Sequence, residues 1–137
     1  MDPRAPVPPF QFALRRMPSH LAVTVSGHSS LDDFVGLIDA MAFETRQHRD
    51  RRALVDLRQV DNELKFTDHF QIGDHVARKL QNLDRLASVV PADKITRTSE
   101  KVAAHQGLEL RVFTSVEDAL AWIMEPAEGD GLADLKA

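Results

Sequence analysis

A small group of polar residues lies where a predicted helix begins. The helical pattern starts at Phe66, so Thr67 and Asp68 fall in the first turn. A phosphate on Thr67 would meet the unpaired N–H groups and the positive dipole end of the helix. An unmodified threonine there is a common N-cap, and we favour that interpretation. Thr67 is thus a candidate phospho-acceptor, and Thr67 and Asp68 are candidate contacts for a partner or ligand.

A second polar pair lies near the end of a predicted strand over residues 53–57. Asp56 ends that strand, at the carboxyl edge of the sheet where ligands bind in open α/β folds. Arg58 follows two residues later and is expected to lie at the same edge. The Asp56 carboxylate could contact a partner or ligand, or it could accept backbone N–H groups of the following loop. We favour the second interpretation and keep both residues as candidate binding residues.

The histidines near the same helix do not have the spacing of a metal site. His69 and His75 are six residues apart, whereas ligands on one helix face are separated by three or four. Asp74 and Arg78 have the spacing of an ordinary surface ion pair. The sequence predicts no metal site.

Motifs for catalysis and cofactor binding are missing from the sequence. The chain has no cysteine and only 6 glycines, and it contains no Gly-x-Ser-x-Gly, Walker, Gly-x-Gly-x-x-Gly or His-Glu-x-x-His string. A Ser/His/Asp set assembles only in space, so that arrangement stays open. We therefore expect a protein that is not an enzyme and uses no cofactor.

The net charge and the hydropathy of the chain argue against some classes of binding partner and against a membrane location. The formal net charge is −4, which argues against a nucleic-acid surface, although Arg46, Arg49, Arg51 and Arg52 lie close together. No stretch approaches the roughly 18 apolar residues of a transmembrane helix, and the start lacks a secretory signal. We expect a cytoplasmic protein without a nucleic-acid partner or a transmembrane segment.

Three aromatic residues allow two interpretations. Phe66, Phe70 and Trp122 could line a pocket for a lipid or another small apolar molecule. Phe66 and Phe70 have helical spacing, so we expect them in the core. Trp122 lies at the margin of an apolar stripe, so we expect it to be half exposed and a candidate interface residue.

The strands that would hold these residues follow from the hydrophobic pattern. Apolar residues alternate over 10–16 and over 20–26, which predicts an antiparallel hairpin. Short apolar runs over 53–57, 85–91 and 108–113 predict buried parallel strands.

Four helices are predicted between and after these strands. Ser30 and Ser115 are N-caps of the first and last, the second covers 66–80, and the third runs from Asp93 to Gly107. The order β-β-α-β-α-β-α-β-α predicts an α/β domain with a mixed sheet. We expect one domain over 10–124, a disordered proline-rich arm over 1–9 and a flexible tail over 125–137.

Several strings in this order resemble one known family. Residues 112–123 read VFTSVEDALAWI, residues 54–57 read LVDL, residues 86–90 read LASVV, and Gly27 precedes Ser30-Leu31. They resemble the SpoIIAA-like family of the STAS group, which comprises sulfate transporters and anti-sigma-factor antagonists. That group shares its architecture with the CRAL-TRIO lipid-transfer fold. The resemblance implies a STAS-like fold and a binding role.

One departure from the family pattern concerns phosphorylation. The anti-sigma antagonists carry a phosphorylatable serine in an Asp-Ser-Ser/Thr-Gly string at the start of the helix after the central strand. This chain reads LKFTDHF over 64–70, and only Thr67 offers a hydroxyl there. The resemblance therefore does not itself imply a phosphorylation switch.

Three functions are compatible with these observations. The first is a non-catalytic regulatory module that acts through protein–protein contact, in a homodimer or with another protein. The second is a carrier of a lipid or small apolar ligand, which requires a cavity lined by side chains such as Phe34, Phe66, Phe70 or Trp122. The third, with the least support, is a small hydrolase-type enzyme.

Overall fold

In the part of the chain that the structure describes, five strands form one sheet and lie in the same order as in the sequence. The computed structural model describes residues 8–94 and 108–126. The strands are β1 (Gln11–Arg16), β2 (Leu21–His28), β3 (Arg52–Asp61), β4 (Arg85–Val89) and β5 (Glu109–Phe113). Strand β1 is antiparallel to β2, and the pairs β2–β3, β3–β4 and β4–β5 are parallel. The predicted mixed sheet with an opening hairpin is confirmed.

Three helices are described: α1 (Leu31–His48), α2 (Phe66–Lys79) and α3 (Val116–Met124). Ser30 caps α1 as predicted, because its hydroxyl accepts the Asp33 N–H at 3.1 Å while Asp33 accepts the Ser30 N–H at 2.9 Å. The Ser115 hydroxyl caps α3 by accepting the Asp118 N–H at 3.3 Å. None of the described helices is long and apolar enough to span a membrane.

The third predicted helix falls mostly outside the described residues. Its beginning forms a 3-10 turn over Ala92–Lys94, and residues 95–107 are not described. The helix called α3 here is therefore the predicted last helix.

The helices cover the two faces of the sheet. Helices α1 and α2 bury their apolar sides against one face, where Leu21, Val23 and Val25 of β2 belong to the larger core. Helix α3 packs on the other face with a smaller cluster. The alternation of side chains along each strand divides the sheet residues between these two cores.

Strand β3 is longer than predicted, and this changes the place of Asp56. Pairing with β4 ends at Asp56, but pairing with β2 continues to Asp61 after a shift of register beyond Asp56. Asp56 therefore lies within β3, and the prediction that it ends the strand is wrong. Among the described strands, this part of β3 pairs only with β2, and its polar residues gave no strand pattern.

The start of the described chain contacts the end of β2. The Pro8 carbonyl accepts the His28 N–H at 2.9 Å, and Pro9 pairs with His28 in an isolated bridge. Gly27 has φ +91°, and a Cβ there would lie 2.0 Å from the Pro9 carbonyl oxygen, so only glycine fits. Residues 1–7 and 127–137 are outside the described residues, and the predicted arm and tail stay predictions.

Candidate binding sites at the carboxyl end of the sheet

A cavity of about 340 Å³ lies between the sheet and helices α1 and α2. Its floor is formed by residues of β3, β4 and β5, with Val55, Ser88 and Val112 paired in one row across the three strands. Its walls come from α1 and α2, where Phe34, Ile38 and Met41, and Ile72, Val76 and Leu80, contribute apolar side chains. The volume falls within the range of about 300–1,000 Å³ typical of small-molecule pockets.

Polar groups are concentrated at one end of this cavity. Ser88 is the penultimate residue of β4, Asn62 and Glu63 follow β3, and His69 lies in the first half of α2. Because a crossover helix runs back along the strands, the start of α2 lies near their carboxyl ends. The opposite part of the cavity is lined by Leu37, Met41, Leu80 and Leu86. The polar side chains of the described lining therefore all lie toward the carboxyl end of the sheet, beside apolar residues such as Val60 and Val90, while the rest of the cavity is apolar.

The polar residues differ in their states. Burial lowers the pKa of His69, although the neighbouring Asp68 opposes that effect, so the imidazole is uncharged at neutral pH. The Asn62 side-chain oxygen accepts the Leu64 N–H at 3.2 Å. No hydrogen bond joins the Ser88 hydroxyl to another residue of the described chain. Ser88 thus presents a hydroxyl that no other described residue uses, on an otherwise apolar floor.

Sequence reasoning missed these polar cavity residues, apart from His69. The only signal for Ser88 was a hydroxyl within the apolar run of β4. Because apolar residues of this strand face both sides of the sheet, the sequence pattern does not show which side the serine faces. Asn62 and Glu63 gave no signal because they lie in a polar loop.

The start of α2 differs from its prediction. Lys65, not Thr67, is the N-cap residue, and the Asp68 carboxylate accepts the Lys65 N–H at 2.9 Å. Thr67 is the second helical residue and is exposed. The N-cap interpretation of Thr67 is wrong because the helix starts one residue before it. Phosphorylation of Thr67 stays a prediction, as does a partner contact by Thr67 or Asp68.

The two phenylalanines of α2 are exposed, so the prediction that they lie in the core is wrong. Phe66 is 72% exposed and Phe70 is 52% exposed. They lie close to the stripe of Gly73 and Ala77, which are buried in the second half of the helix. The apolar stripe therefore continues beyond the part of α2 that packs on the protein, and its first half forms an aromatic patch, defined here by Phe66 and Phe70.

Asp56 and Arg58 bind each other. The Asp56 carboxylate accepts the Arg58 backbone N–H at 3.1 Å and its guanidinium at 2.9 and 2.8 Å. The hydrogen bonds from Arg58 hold the pKa of Asp56 below its usual value, although burial opposes them. The favoured interpretation, in which Asp56 accepts a nearby backbone N–H group, agrees with this geometry, while a partner contact by Asp56 or Arg58 stays a prediction.

Trp122 is buried, so the prediction that it is half exposed is wrong. It is 5% exposed and packs against Phe113, with the ring centroids 5.7 Å apart. The guanidinium groups of Arg85 and Arg111 each lie 5.2 Å from its ring centroid. Sequence periodicity could not foresee these arginines, which come from β4 and β5. A partner contact through Trp122 stays a prediction that this burial does not favour.

His75, Arg78 and Arg51, all named from the sequence, each pair with an aspartate. His75 Nε2 lies 2.8 Å from Asp39 across the contact between α1 and α2, and Arg78 forms the predicted ion pair with Asp74 at 2.9 Å. In the basic run, Arg51 binds the Asp84 carboxylate at 2.7 Å. No group of three or more His, Asp or Glu side chains in the described ranges is arranged to hold a metal ion.

Comparisons with known proteins give a fold and a family. An uncharacterised protein with a SpoIIAA-like fold from Shewanella loihica is 18% identical over 90% of this chain and 99% of that chain, with a TM-score of 0.54. An anti-sigma factor antagonist from Mycobacterium paratuberculosis is 12% identical over 85% of this chain and 96% of its own, with a TM-score of 0.58. No curated protein matches the sequence.

The two solved structures establish the fold alone. Their sequence identities to this chain are too low to transfer a function. The family model described as SpoIIAA-like matches residues 20–124, which include β2 to β5 and all three described helices. The match confirms the resemblance drawn from the strings at 54–57, 86–90 and 112–123. The chain therefore belongs to the SpoIIAA-like family.

Proposed function

We propose that the protein is a non-catalytic regulatory module of the bacterial cytoplasm that acts through protein–protein contact, as a homodimer or with another protein. The aromatic patch of Phe66 and Phe70 carries this proposal, because both side chains expose most of their surface at the start of α2. Aromatic residues supply much of the binding energy at protein interfaces, where burial of each removes a large apolar area from water.

The position of Thr67 connects the patch to regulation. Thr67 lies between the two phenylalanines in sequence and is exposed in the first turn of α2. A phosphate there would add about two negative charges, which the helix dipole tolerates but an apolar interface does not. Phosphorylation is therefore expected to weaken partner binding at this surface.

The patch is tested by replacing both of its aromatic residues. Phe66→Ser with Phe70→Ser should abolish homodimer formation in native mass spectrometry, or capture of a protein partner when the chain is a monomer. Phe43→Ser is the matched control, because Phe43 is 68% exposed on α1 and outside the patch. Equal losses in both variants, or no loss in either, would contradict the proposal.

The phosphorylation step needs a separate test. Incubation with a matched kinase should add one phosphate to the wild type and none to Thr67→Ala, as read by mass spectrometry. Thr67→Asp should weaken the contact that the patch makes, while Thr67→Ala should leave it unchanged. Equal labelling of the wild type and Thr67→Ala would exclude Thr67 as the acceptor.

The cavity supports a second candidate function, the binding and carriage of an apolar ligand. Of the aromatic residues expected to line such a site, Phe34 lines it, whereas Phe66, Phe70 and Trp122 are not among its described lining residues. A native mass spectrum of the purified protein should show excess mass that disappears on denaturation. A bare polypeptide mass in both spectra, after exposure to apolar compounds, would argue against carriage.

The cavity gives less support to the third candidate function, a hydrolase-type enzyme. His69 has a lowered pKa and Ser88 offers a hydroxyl in the same cavity, which are residue types that catalysis uses. A serine nucleophile requires a base within hydrogen-bond reach, and no hydrogen bond joins these two side chains. We therefore do not propose catalysis at this site.

A further inference from the structure

The charges around the cavity restrict what it can hold. The described lining residues include no lysine or arginine, and their only carboxylate is that of Glu63. The remaining polar side chains in the lining are Asn62, His69 and Ser88. His69 is uncharged at neutral pH because burial lowers its pKa. The described lining thus offers hydrogen bonds but no positive charge.

This balance separates neutral ligands from anionic ones. An anion taken out of water without a partner of opposite charge loses several kcal/mol of hydration that the site does not replace. A hydroxyl or carbonyl group needs only one hydrogen-bond partner to offset its desolvation. The negative charge of Glu63, which is exposed, would in addition repel an anionic head group.

The shape of the cavity gives the ligand a direction. The polar side chains lie at the carboxyl end of the sheet, and the lining toward its amino end is formed by Leu37, Met41, Leu80 and Leu86. These leucines and the methionine are almost fully buried, so an apolar tail there would be removed from water. The Ser88 hydroxyl, which has no hydrogen bond to another described residue, belongs to the polar side chains of the lining toward the carboxyl end.

We propose that the cavity binds an uncharged amphiphile, a single apolar chain that ends in a hydroxyl or carbonyl group, with that group hydrogen-bonded to Ser88. This inference rests on the second candidate function and adds to it the chemical class of the ligand. It selects against fatty-acid anions of the same length, and Ser88 is the residue that recognises the polar end.

The test compares three probes with one chain length. Decanol, decanoate and decane are titrated into the full-length protein at about pH 8, where the carboxylate is fully ionised. Decanol is expected to bind at least about tenfold tighter than decanoate, because the described lining offers the anion no positive charge. Binding is read by native mass spectrometry and by titration calorimetry.

Two variants locate the polar end of the ligand. Ser88→Ala should weaken decanol binding by about threefold to tenfold, the effect of one hydrogen bond, and should leave decane binding unchanged. Ser26→Ala is the matched control, because Ser26 is a strand serine that is not among the described lining residues. An equal effect of the two variants on decanol would remove Ser88 from the site.

The possible results distinguish failure of the neutral-ligand preference from failure of ligand carriage itself. If none of the three probes binds, the carrier function fails and the inference fails with it. If decanoate binds as tightly as decanol or more tightly, the carrier function stands and the choice of a neutral ligand is wrong. Tighter decanol binding that depends on Ser88 supports both.

Discussion

The two faces of the sheet are packed differently, and strand β4 belongs to both. On one face Ala87 and Val89 contact Ala119, Trp122 and Ile123 of α3, and all five are buried. On the other face Leu86 and Ser88 line the cavity below α1 and α2. A close-packed side gives the domain a fixed frame, while the looser side leaves room for a ligand. The difference shows that the same strand can serve stability on one side and binding on the other.

The largest contrast is expected from two isoleucines on opposite faces. Ile123→Ala removes a fully buried side chain from the close-packed cluster and should lower the free energy of unfolding by about 4 kcal/mol. Ile38→Ala, at the cavity wall, should cost about 2 kcal/mol, because one side of its side chain borders the cavity instead of protein atoms. Urea denaturation measures both. Equal costs would mean that the cavity face is packed as tightly as the other.

A buried arginine holds the closed face together, and its removal is the next largest effect. Arg85 is 8% exposed, lies over Trp122, and donates to the carbonyls of Trp122, Glu125 and Pro126 at the end of α3. Arg85→Met keeps the apolar stem but leaves these carbonyls without that donor, which should cost about 2–3 kcal/mol.

The matched control for Arg85 is another arginine beside the same ring. Arg111 also lies 5.2 Å from the Trp122 centroid, but it is exposed. Arg111→Met should cost about 0.5–1 kcal/mol, the value of an exposed cation–π contact. If both variants lose the same stability, the carbonyl contacts of Arg85 contribute little to the closed face.

The sequence was sufficient to predict the frame of the molecule. Alternating apolar residues located β1 and β2, and the capping residues Ser30 and Ser115 located the starts of α1 and α3. These signals are local, so a single chain contains them. The extra length of β3 was missed because it depends on pairing with β2 rather than on the residues of β3 itself.

The candidate sites were harder to predict because they depend on what packs against each element. Phe66 and Phe70 lie near the same apolar stripe as buried residues of α2. Only the tertiary structure shows that the first turns of the helix do not pack on the rest of the protein, so that this part of the stripe is exposed. Trp122 lay at the margin of its helical stripe, but Arg85 of β4 and Arg111 of β5 cover it. Ser88 had no signal beyond its hydroxyl, since the cavity above it belongs to several elements.

Adjacent residues of β4 allow the sharpest comparison of the two faces. Ala87→Val adds volume to the close-packed face, where Ala87 is 0% exposed, and should cost about 1–3 kcal/mol. Ser88→Val adds similar volume to the cavity and removes a hydroxyl that has no hydrogen bond to another described residue, so it should stabilise by about 0.5–1 kcal/mol. Urea denaturation of both variants beside the wild type gives the sign directly. A loss of stability in both variants would contradict the prediction that the cavity has room for a larger side chain at residue 88.

The smallest effect concerns pH and belongs to the cavity face. Burial lowers the pKa of His69 in the folded protein, so the unfolded chain takes up a proton at a higher pH than the folded one. The free energy of unfolding should therefore be highest above about pH 6.5 and fall as the pH drops through the folded-state pKa. His20, whose pKa is also lowered by burial, contributes a fall in the same direction.

His69→Gln separates the contribution of the cavity face from the rest. The variant should lose less stability than the wild type between about pH 8 and about pH 5, because it no longer carries a histidine that resists protonation when folded. His28→Gln is the control, since His28 is exposed and distant in sequence from the cavity residues of α2. The closed face near Trp122 contributes no such histidine among the described residues of its cluster. An unchanged acid-side slope in His69→Gln would show that His69 is as well solvated in the folded protein as in the unfolded chain, which would place the polar end of the cavity in water rather than beneath α2.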